Sequence, residues 1–291
     1  MMGEMRQWRV TPQEAGMRLL AFLREKKGQP SSVKALKRAI DGKCCTVNGQ
    51  TKTLSSHCLR SEDLVTLNSF DTAPITRVGV LYEDEDLLVI DKPSGLISEE
   101  RYLAPLLPTR AELIHRLDKE TSGVLLLSKN KEIQEAMIAL FRKREIRKSY
   151  LALVDGSVTE PQGKIVTSLK KRSRHGQVFY EVGVRKGPRD EAITLWKCLK
   201  KRAQASLLHC ELITGRTHQL RVHLNWLGYP ILGDTHYGEH FRCRLAPQRH
   251  LLHAHILCFT HPRTGKRITI TAPLPEDFIA AEKKLFPDSA K

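Results

Sequence analysis

Apolar and polar positions change period several times along this chain, and each change marks an element. In the stretch from Gly16 to Leu67, "MRLLAFLREK" (17–26) and "SSVKALKRAID" (31–41) have the spacing of two short helices, the second opening on Ser31 or Ser32 as an N-cap. Strand material follows at once. "CCTVNGQTKTL" sets Asn48 and Gly49 between β-prone residues, a hairpin signal, and "DLVTL" (63–67) supplies a further strand. Periodicity then breaks in "NSFDTAPITR", where Pro74 and its polar neighbours predict a linker over 71–79. These boundaries give a first domain over 1–70, with its core at about 16–67, and a second over 80–291.

The second domain opens on an apolar run, Leu87 to Ile90, bracketed by acids and ended by Lys92-Pro93, the pattern of a buried strand entering a turn. "LIHRLDKETSGVLLLSKN" passes from a polar loop into another buried strand, and "KEIQEAMIALFRKREIRKSYLALV" predicts a helix, a basic bend and a strand. Gly215, Gly228 and Gly233 are expected as backbone punctuation around a strand and turns. Helices alternate irregularly with short strands, with neither a Rossmann glycine pattern nor a Walker loop, so dinucleotide and nucleoside-triphosphate chemistry is not expected.

Length and composition narrow the class. The 291 residues, 41% of them hydrophobic, can bury one large core or two modest ones. Aliphatic runs such as Val124–Leu127 are far below a bilayer span, and the N-terminal residues lack the apolar core of a signal peptide. The expectation is a soluble, cytoplasmic monomer without a membrane partner. Charge adds a partner. Lys and Arg number 48 against 32 Asp and Glu, a net +16, and residues 1–70 share the excess with twelve basic against six acidic side chains. With 6% aromatic residues, affinity for a polyanion must come mainly from phosphate contacts rather than base stacking. Lys34, Lys37 and Arg38 form a cationic face on the second helix, and "RKREIRKS" and Lys170, Lys171, Arg172 and Arg174 are further candidates for tracking phosphates.

Seven cysteines without a secretory signal predict reduced thiols. Cys44 and Cys45 should point to opposite sides of a strand. Cys243, His250, His253, His255 and Cys258 include metal-ligating residue types but no Cys-x-x-Cys knuckle, and no metal is expected there. Asp118 lies in "HRLDKETSG" just before a buried strand. There it could serve as nucleophile or base if a nearby cation kept it ionised, or it could cap a turn with Thr121 and Ser122.

The order of elements around "GKCCTVNG" resembles the small α-L RNA-binding domain shared by a ribosomal protein and several RNA-modifying enzymes, over about fifty residues. Two departures are Leu20, where that domain's first helix usually has Asp, and "RSED" in place of a Gly-Asp before the last strand. From about residue 80 to 275, the ordered segments "EDLLVIDKPSGL", "HRLDKETSG", "KSYLALVDG" and "TGRTHQLRVHLNWLGYPILGDTHYG" resemble the RluA-type family of pseudouridine synthases. The resemblance implies an α+β fold, in which a mixed, mostly antiparallel sheet carries a central basic cleft. It also implies isomerisation of uridine to pseudouridine in structured RNA without cofactor or metal. Large-subunit ribosomal RNA is the expected substrate. Transfer RNA is the alternative, and an inert ribosome-assembly factor is the alternative from another class.

Carried over, the resemblance makes Asp118 the catalytic carboxylate, acting on the sugar or ring or removing a sugar proton on the way to a glycal. Tyr150 packs on the target base and assists removal of the ring carbon 5 proton. Arg221 pairs with the carboxylate, a role that suits a guanidinium because it keeps its proton and can bind both oxygens, with Arg216 as the other candidate in the same segment. Arg116 fills the space left by a flipped nucleotide. His115, Arg216 and Leu252 complete the expected substrate contacts. "ISEERYLAPLLPTRAE" lacks the Val-x-x-His-Pro pattern many relatives carry, so the departure bears on substrate preference.

Overall fold

The computed structural model describes residues 5–26, 33–41, 44–52, 54–68, 75–174, 177–183, 187, 191–238 and 240–287. The chain divides into two compact units, Met1–Pro74 and Ile75–Lys291.

In the first unit, β1 (Met5–Arg9) precedes α1 (Leu19–Lys26), α2 (Val33–Asp41), β2 (Cys45–Val47), β3 (Gln50–Thr51) and β4 (Leu64–Asn68). The four strands form an antiparallel sheet in the order β1-β4-β2-β3. The hairpin turns at Asn48 and Gly49, both at positive φ (51° and 77°), which is why that dipeptide sits there. Helix residues Leu19, Phe22, Leu23, Leu36 and Ile40 pack on Cys45, Val47, Val65 and Leu67 in one core. Cys44 and Cys45 are both buried. Strand β1, a basic alternating segment, was not anticipated from the sequence. It pairs along the whole of β4. Lys37 is exposed on α2, while the side chains of Lys34 and Arg38 and the expected caps Ser31 and Ser32 lie outside the described residues.

The second unit contains β5 (Gly79–Glu83), β6 (Leu87–Lys92), α3 (Glu100–Leu103), β7 (Glu112–Leu113), β8 (Ser122–Ser128), α4 (Lys131–Lys143), β9 (Arg147–Asp155), β10 (Gln162–Arg174), β11 (Gln177–Gly183), β12 (Glu191–Arg202), β13 (Ala205–Leu212), α5 (Gln219–Trp226), β14 (Leu252–Thr260), β15 (Arg267–Thr271) and α6 (Glu276–Leu285). Among the described residues, eleven strands form one sheet in the order β11-β10-β12-β13-β9-β14-β8-β6-β5, with β15 added to β14 and β7 to β8. Every pairing is antiparallel except β14 with β8. The fold is α+β. No described helix is long and apolar enough to cross a membrane.

Alternation along the central strands separates two cores. Leu88, Ile90, Leu125, Leu127, Tyr150, Ala152 and Val154 enter the core shared with Leu220 and Leu224 of α5, whereas Leu87, Val89, Val124 and Leu126 enter one shared with Ile133 and Met137 of α4. Helix α4 starts at Asn130, whose side chain accepts from the Ile133 N–H, and stops at Arg144 in the left-handed region, so the basic bend is its C-terminal cap.

The segment between Gly215 and Gly228 corrects the sequence expectation: it is helix α5, not a strand with turns. Its residues Gln219 to Leu224 are all buried. Because α5 lies on the face that carries Tyr150, its first turn is brought to the loop preceding β8, and the site forms there.

Candidate active site

The loop bearing Asp118 is clamped on both sides. Ser98 Oγ donates to the Leu117 carbonyl and accepts from the Leu117 N–H, at 3.0 and 3.2 Å. Two residues on, the Lys119 carbonyl accepts from the Gly95 N–H and from Lys92 Nζ. Lys92 is fully buried, and its ammonium also donates to the Pro93 and Leu96 carbonyls at 2.9 Å. Burial pulls its pKa down to about 7, opposed by Glu120, Asp118 and Asp91. Three carbonyl acceptors match the three protons of the charged form.

Asp118 does not cap its turn through its side chain. The hydroxyls of Thr121 and Ser122 are engaged instead with His250 Nε2 (2.8 Å) and His253 Nδ1 (3.0 Å). The carboxylate turns to α5. Oδ2 accepts from Arg221 Nη1 at 3.2 Å, and Oδ1 lies 3.8 Å from His218 Nε2. Arg221, not Arg216, is therefore the paired cation, since Arg216 is exposed and its Nε donates to the Glu191 carbonyl. The capacity of a guanidinium to bind both oxygens is used on another carboxylate. The guanidinium fork goes to Asp234, at 2.7 and 2.9 Å, and Asp118 receives a single N–H, from Nη1.

Asp234 also accepts from the backbone N–H groups of His236 and Tyr237. Burial pushes its carboxyl up, but the Arg221 guanidinium outweighs this and holds it below the ordinary range. The Arg221 guanidinium carbon sits 5.0 Å over the Tyr237 ring. Gln219 fixes the loop into α5: its Oε1 accepts from Arg216 N and Thr214 Oγ1, and its Nε2 donates to Ile193 O and Thr194 Oγ1.

These groups open on a cavity of about 250 Å³ lined by His115, Arg116, Asp118, Phe141, Lys148, Tyr150, Arg216, His218, Arg221 and Leu252, among others. Tyr150 and Leu252 are buried in its wall, from β9 and β14. Burial, with Asp118 adding to it, raises the Tyr150 phenol above its ordinary pKa, so it is un-ionised. Arg116 is exposed at the mouth. His115 has a structural use that was not expected: its Nε2 accepts the Leu126 N–H at 3.1 Å and its ring lies 5.1 Å from Phe141. Burial brings its pKa down to about 3, so the ring is neutral. Lys148, which the motifs did not single out, is brought down to about 8 by burial and by Arg144.

The chain matches the RNA pseudouridylate synthase family model over residues 86–226. It is 33% identical to an uncharacterized RNA pseudouridine synthase of Mycoplasma pneumoniae, covering 85% of this chain and 86% of that protein. The chain belongs to the RluA-type pseudouridine synthase family. It is 32% identical to ribosomal large subunit pseudouridine synthase C of Escherichia coli over 95% of each chain. Among solved structures, human RNA pseudouridylate synthase domain containing 4 superposes with a TM-score of 0.57 at 27% identity, covering 71% of this chain and 92% of that one. The protein is an RNA pseudouridine synthase, an isomerase that acts on RNA.

Sequence reading missed Asp234, His218 and Tyr237. A lone acid in "GDTHYG" gives no hint of its partner thirteen residues earlier, because that pairing depends on how α5 folds back. The Cys and His residues at 243–258 are engaged with protein groups. His250 and His253 hold the hydroxyls beside Asp118, His255 Nδ1 lies 3.1 Å from the Ala272 carbonyl, and Cys258 Sγ accepts from Arg267 and Thr269. Among the described residues, no three His, Cys, Asp or Glu side chains are grouped for a metal ion.

Proposed function

We propose that this synthase isomerises uridines in large-subunit ribosomal RNA, with Asp118 as the catalytic carboxylate. The observation that carries the reading is the Asp118–Arg221–Asp234 arrangement on the cavity wall. Arg221 is held by the fork to Asp234, so it extends a single N–H to Asp118 and leaves the other carboxylate oxygen open to the cavity.

A target uridine flipped out of its helix enters the cavity, and Arg116 at the mouth fills the space it leaves, limiting a loss of a few kcal/mol in stacking. Tyr150 and Leu252 pack against the uracil. Asp118 supplies the carboxylate that opens the bond between ring nitrogen 1 and the sugar. The uracil turns, ring carbon 5 bonds to the sugar, and its proton leaves with help from the Tyr150 hydroxyl. Every atom of the uridine is kept apart from exchange of that proton, so the chemistry needs no co-reactant. The first unit, with Lys34, Lys37 and Arg38 on α2, binds RNA beside the target. The ribosomal assignment is supported by the names of relatives such as the Escherichia coli large-subunit enzyme.

Asp118→Asn keeps the shape but removes nucleophile and base. Tritium release from uridine labelled at ring carbon 5 should fall by several orders of magnitude, with RNA binding and thermal melting retained. Release at the parental rate from the folded variant overturns the assignment. Pseudouridine maps of cellular RNA with and without the protein test the substrate: sites lost in large-subunit RNA support it, and sites lost only in transfer RNA replace it.

A further inference from the structure

Asp118 presents two oxygens to the site, and Arg221 takes only one. The other, Oδ1, faces His218 Nε2 at 3.8 Å. His218 stands at the N-terminus of α5 with a left-handed backbone, φ 56°. Its ring is boxed by edge-on contacts with Tyr180 (5.6 Å), His236 (5.8 Å) and Tyr237 (5.6 Å).

Its tautomer follows from the hydrogen bonds. Nδ1 lies 2.7 Å from the Tyr237 hydroxyl, whose oxygen already accepts the Tyr180 backbone N–H at 3.1 Å. If Nδ1 carried the proton, the Nε2 lone pair would point at a carboxylate. With the Tyr237 O–H donating to Nδ1, an Nε2–H points there instead, which is the favourable arrangement. The charged and titratable groups around the ring are Asp118, Arg221, Asp234, His236, His250, Tyr180 and Tyr237. Burial lowers the His218 pKa, Asp118 opposes this, and Arg221 and His236 add to it, so the ring is neutral at neutral pH.

We propose that His218 is a positioning residue whose Nε2–H closes onto Asp118 Oδ1 when a nucleotide fills the cavity, so that Arg221 and His218 each hold one oxygen and set the plane of the carboxylate. The inference rests on Asp118 being the reacting group. A separation of 3.8 Å is longer than a hydrogen bond, and such contacts often tighten only in the substrate complex. Tyr180 lies on β11, at one end of the sheet order, so a backbone N–H of that strand fixes the tautomer of the group facing Asp118.

Three variants test this by single-turnover tritium release across pH, each checked by thermal melting, with Asp118→Asn alongside. His218→Leu removes the donor and should slow the chemical step roughly ten- to a hundredfold, the scale of a hydrogen bond to a charged group, with RNA affinity unchanged. His218→Gln retains an N–H near the Nε2 position and should recover most of the rate. It should also lose the part of the acid limb at which a protonated His218 would bind Asp118 too tightly, so activity persists to lower pH. Tyr237→Phe keeps the ring under Arg221 but frees the tautomer, and should slow the step severalfold; it decides alone if His218→Leu does not fold. Parental rates in both His218→Leu and Tyr237→Phe overturn the proposal, as does a His218→Gln protein as slow as His218→Leu with an unmoved acid limb. If Asp118→Asn is active, the reading of the site fails; if it is inactive while the His218 and Tyr237 variants behave like the parent, only this inference fails.

Discussion

Arg221 serves two carboxylates unequally, and the inequality assigns their tasks. Asp234, 1% exposed, receives the planar fork, while Asp118, on the cavity wall, receives a single N–H. A buried charge is tolerated only when paired, and removing one partner leaves the other uncompensated. Asp234→Asn should therefore destabilise the protein by about 3–5 kcal/mol. It should also slow isomerisation, because a guanidinium released from Asp234 can turn its fork onto Asp118 and occupy both oxygens. Urea denaturation beside tritium release measures both effects. A variant with parental stability would mean that the buried pair contributes nothing, and one with parental rate would mean that Arg221 needs no anchor.

Elements rather than residues decide what can be read in advance. The strands over Leu87–Lys92 and Ser122–Ser128 were legible because they are continuous apolar runs bounded by turn residues, and α4 because it has one apolar face and polar caps. Helix α5 was not. Its apolar residues Leu220, Val222 and Leu224 alternate, which imitates a strand, and the helix is buried on several sides at once, including Arg221 and His223, so no polar stripe reveals its period. His223 shows what the sequence hides: its two ring nitrogens lie 2.9 and 2.8 Å from the hydroxyls of Thr167 on β10 and Thr194 on β12, joining α5 to the sheet. The motif residues around Asp118 were legible, whereas the acid that holds Arg221 depended on a return of the chain that periodicity does not encode. One backbone contact at this scale is testable. Gly123 has φ 112°, and a Cβ there would overlap the Ala254 carbonyl where β8 and β14 pair in parallel. Gly123→Ala strains the backbone and the pairing together and should cost more than about 3 kcal/mol in urea denaturation. A cost below about 1 kcal/mol would mean that the junction yields freely.

Across the whole molecule, two units share a positive charge of +16. A protein beginning at Ile75 contains every group around the cavity, so it should stay folded and isomerise uridine in short, protein-free RNA. On the ribosomal RNA proposed above as its target it should bind more weakly, because on that proposal the first unit binds RNA and its linkage raises the effective concentration. The slope of log affinity against log salt should be shallower than for the full chain, since fewer phosphates are neutralised. Equal slopes would exclude the first unit from the interface. Part of the acid sensitivity lies in the second unit, where His223 and His253 are both fully buried and burial brings each pKa down to about 4. For a base depressed in the native state, the sign is fixed: below its ordinary value near 6.5 the unfolded chain takes up a proton that the folded protein refuses. Stability is then complete above about pH 6.5 and is lost as pH falls toward 4, at up to about 1.4 kcal/mol per pH unit for each ring. Between pH 6 and 5, before most carboxylates protonate, urea unfolding should show this slope, with both histidines and the neutral His115 ring contributing to it. His223→Gln retains a donor and an acceptor near Thr167 and Thr194 but cannot protonate, so its pH slope loses one ring's share whatever the change in its overall stability. A variant whose slope in that window equals the parent's would show that His223 is already protonated in the folded protein.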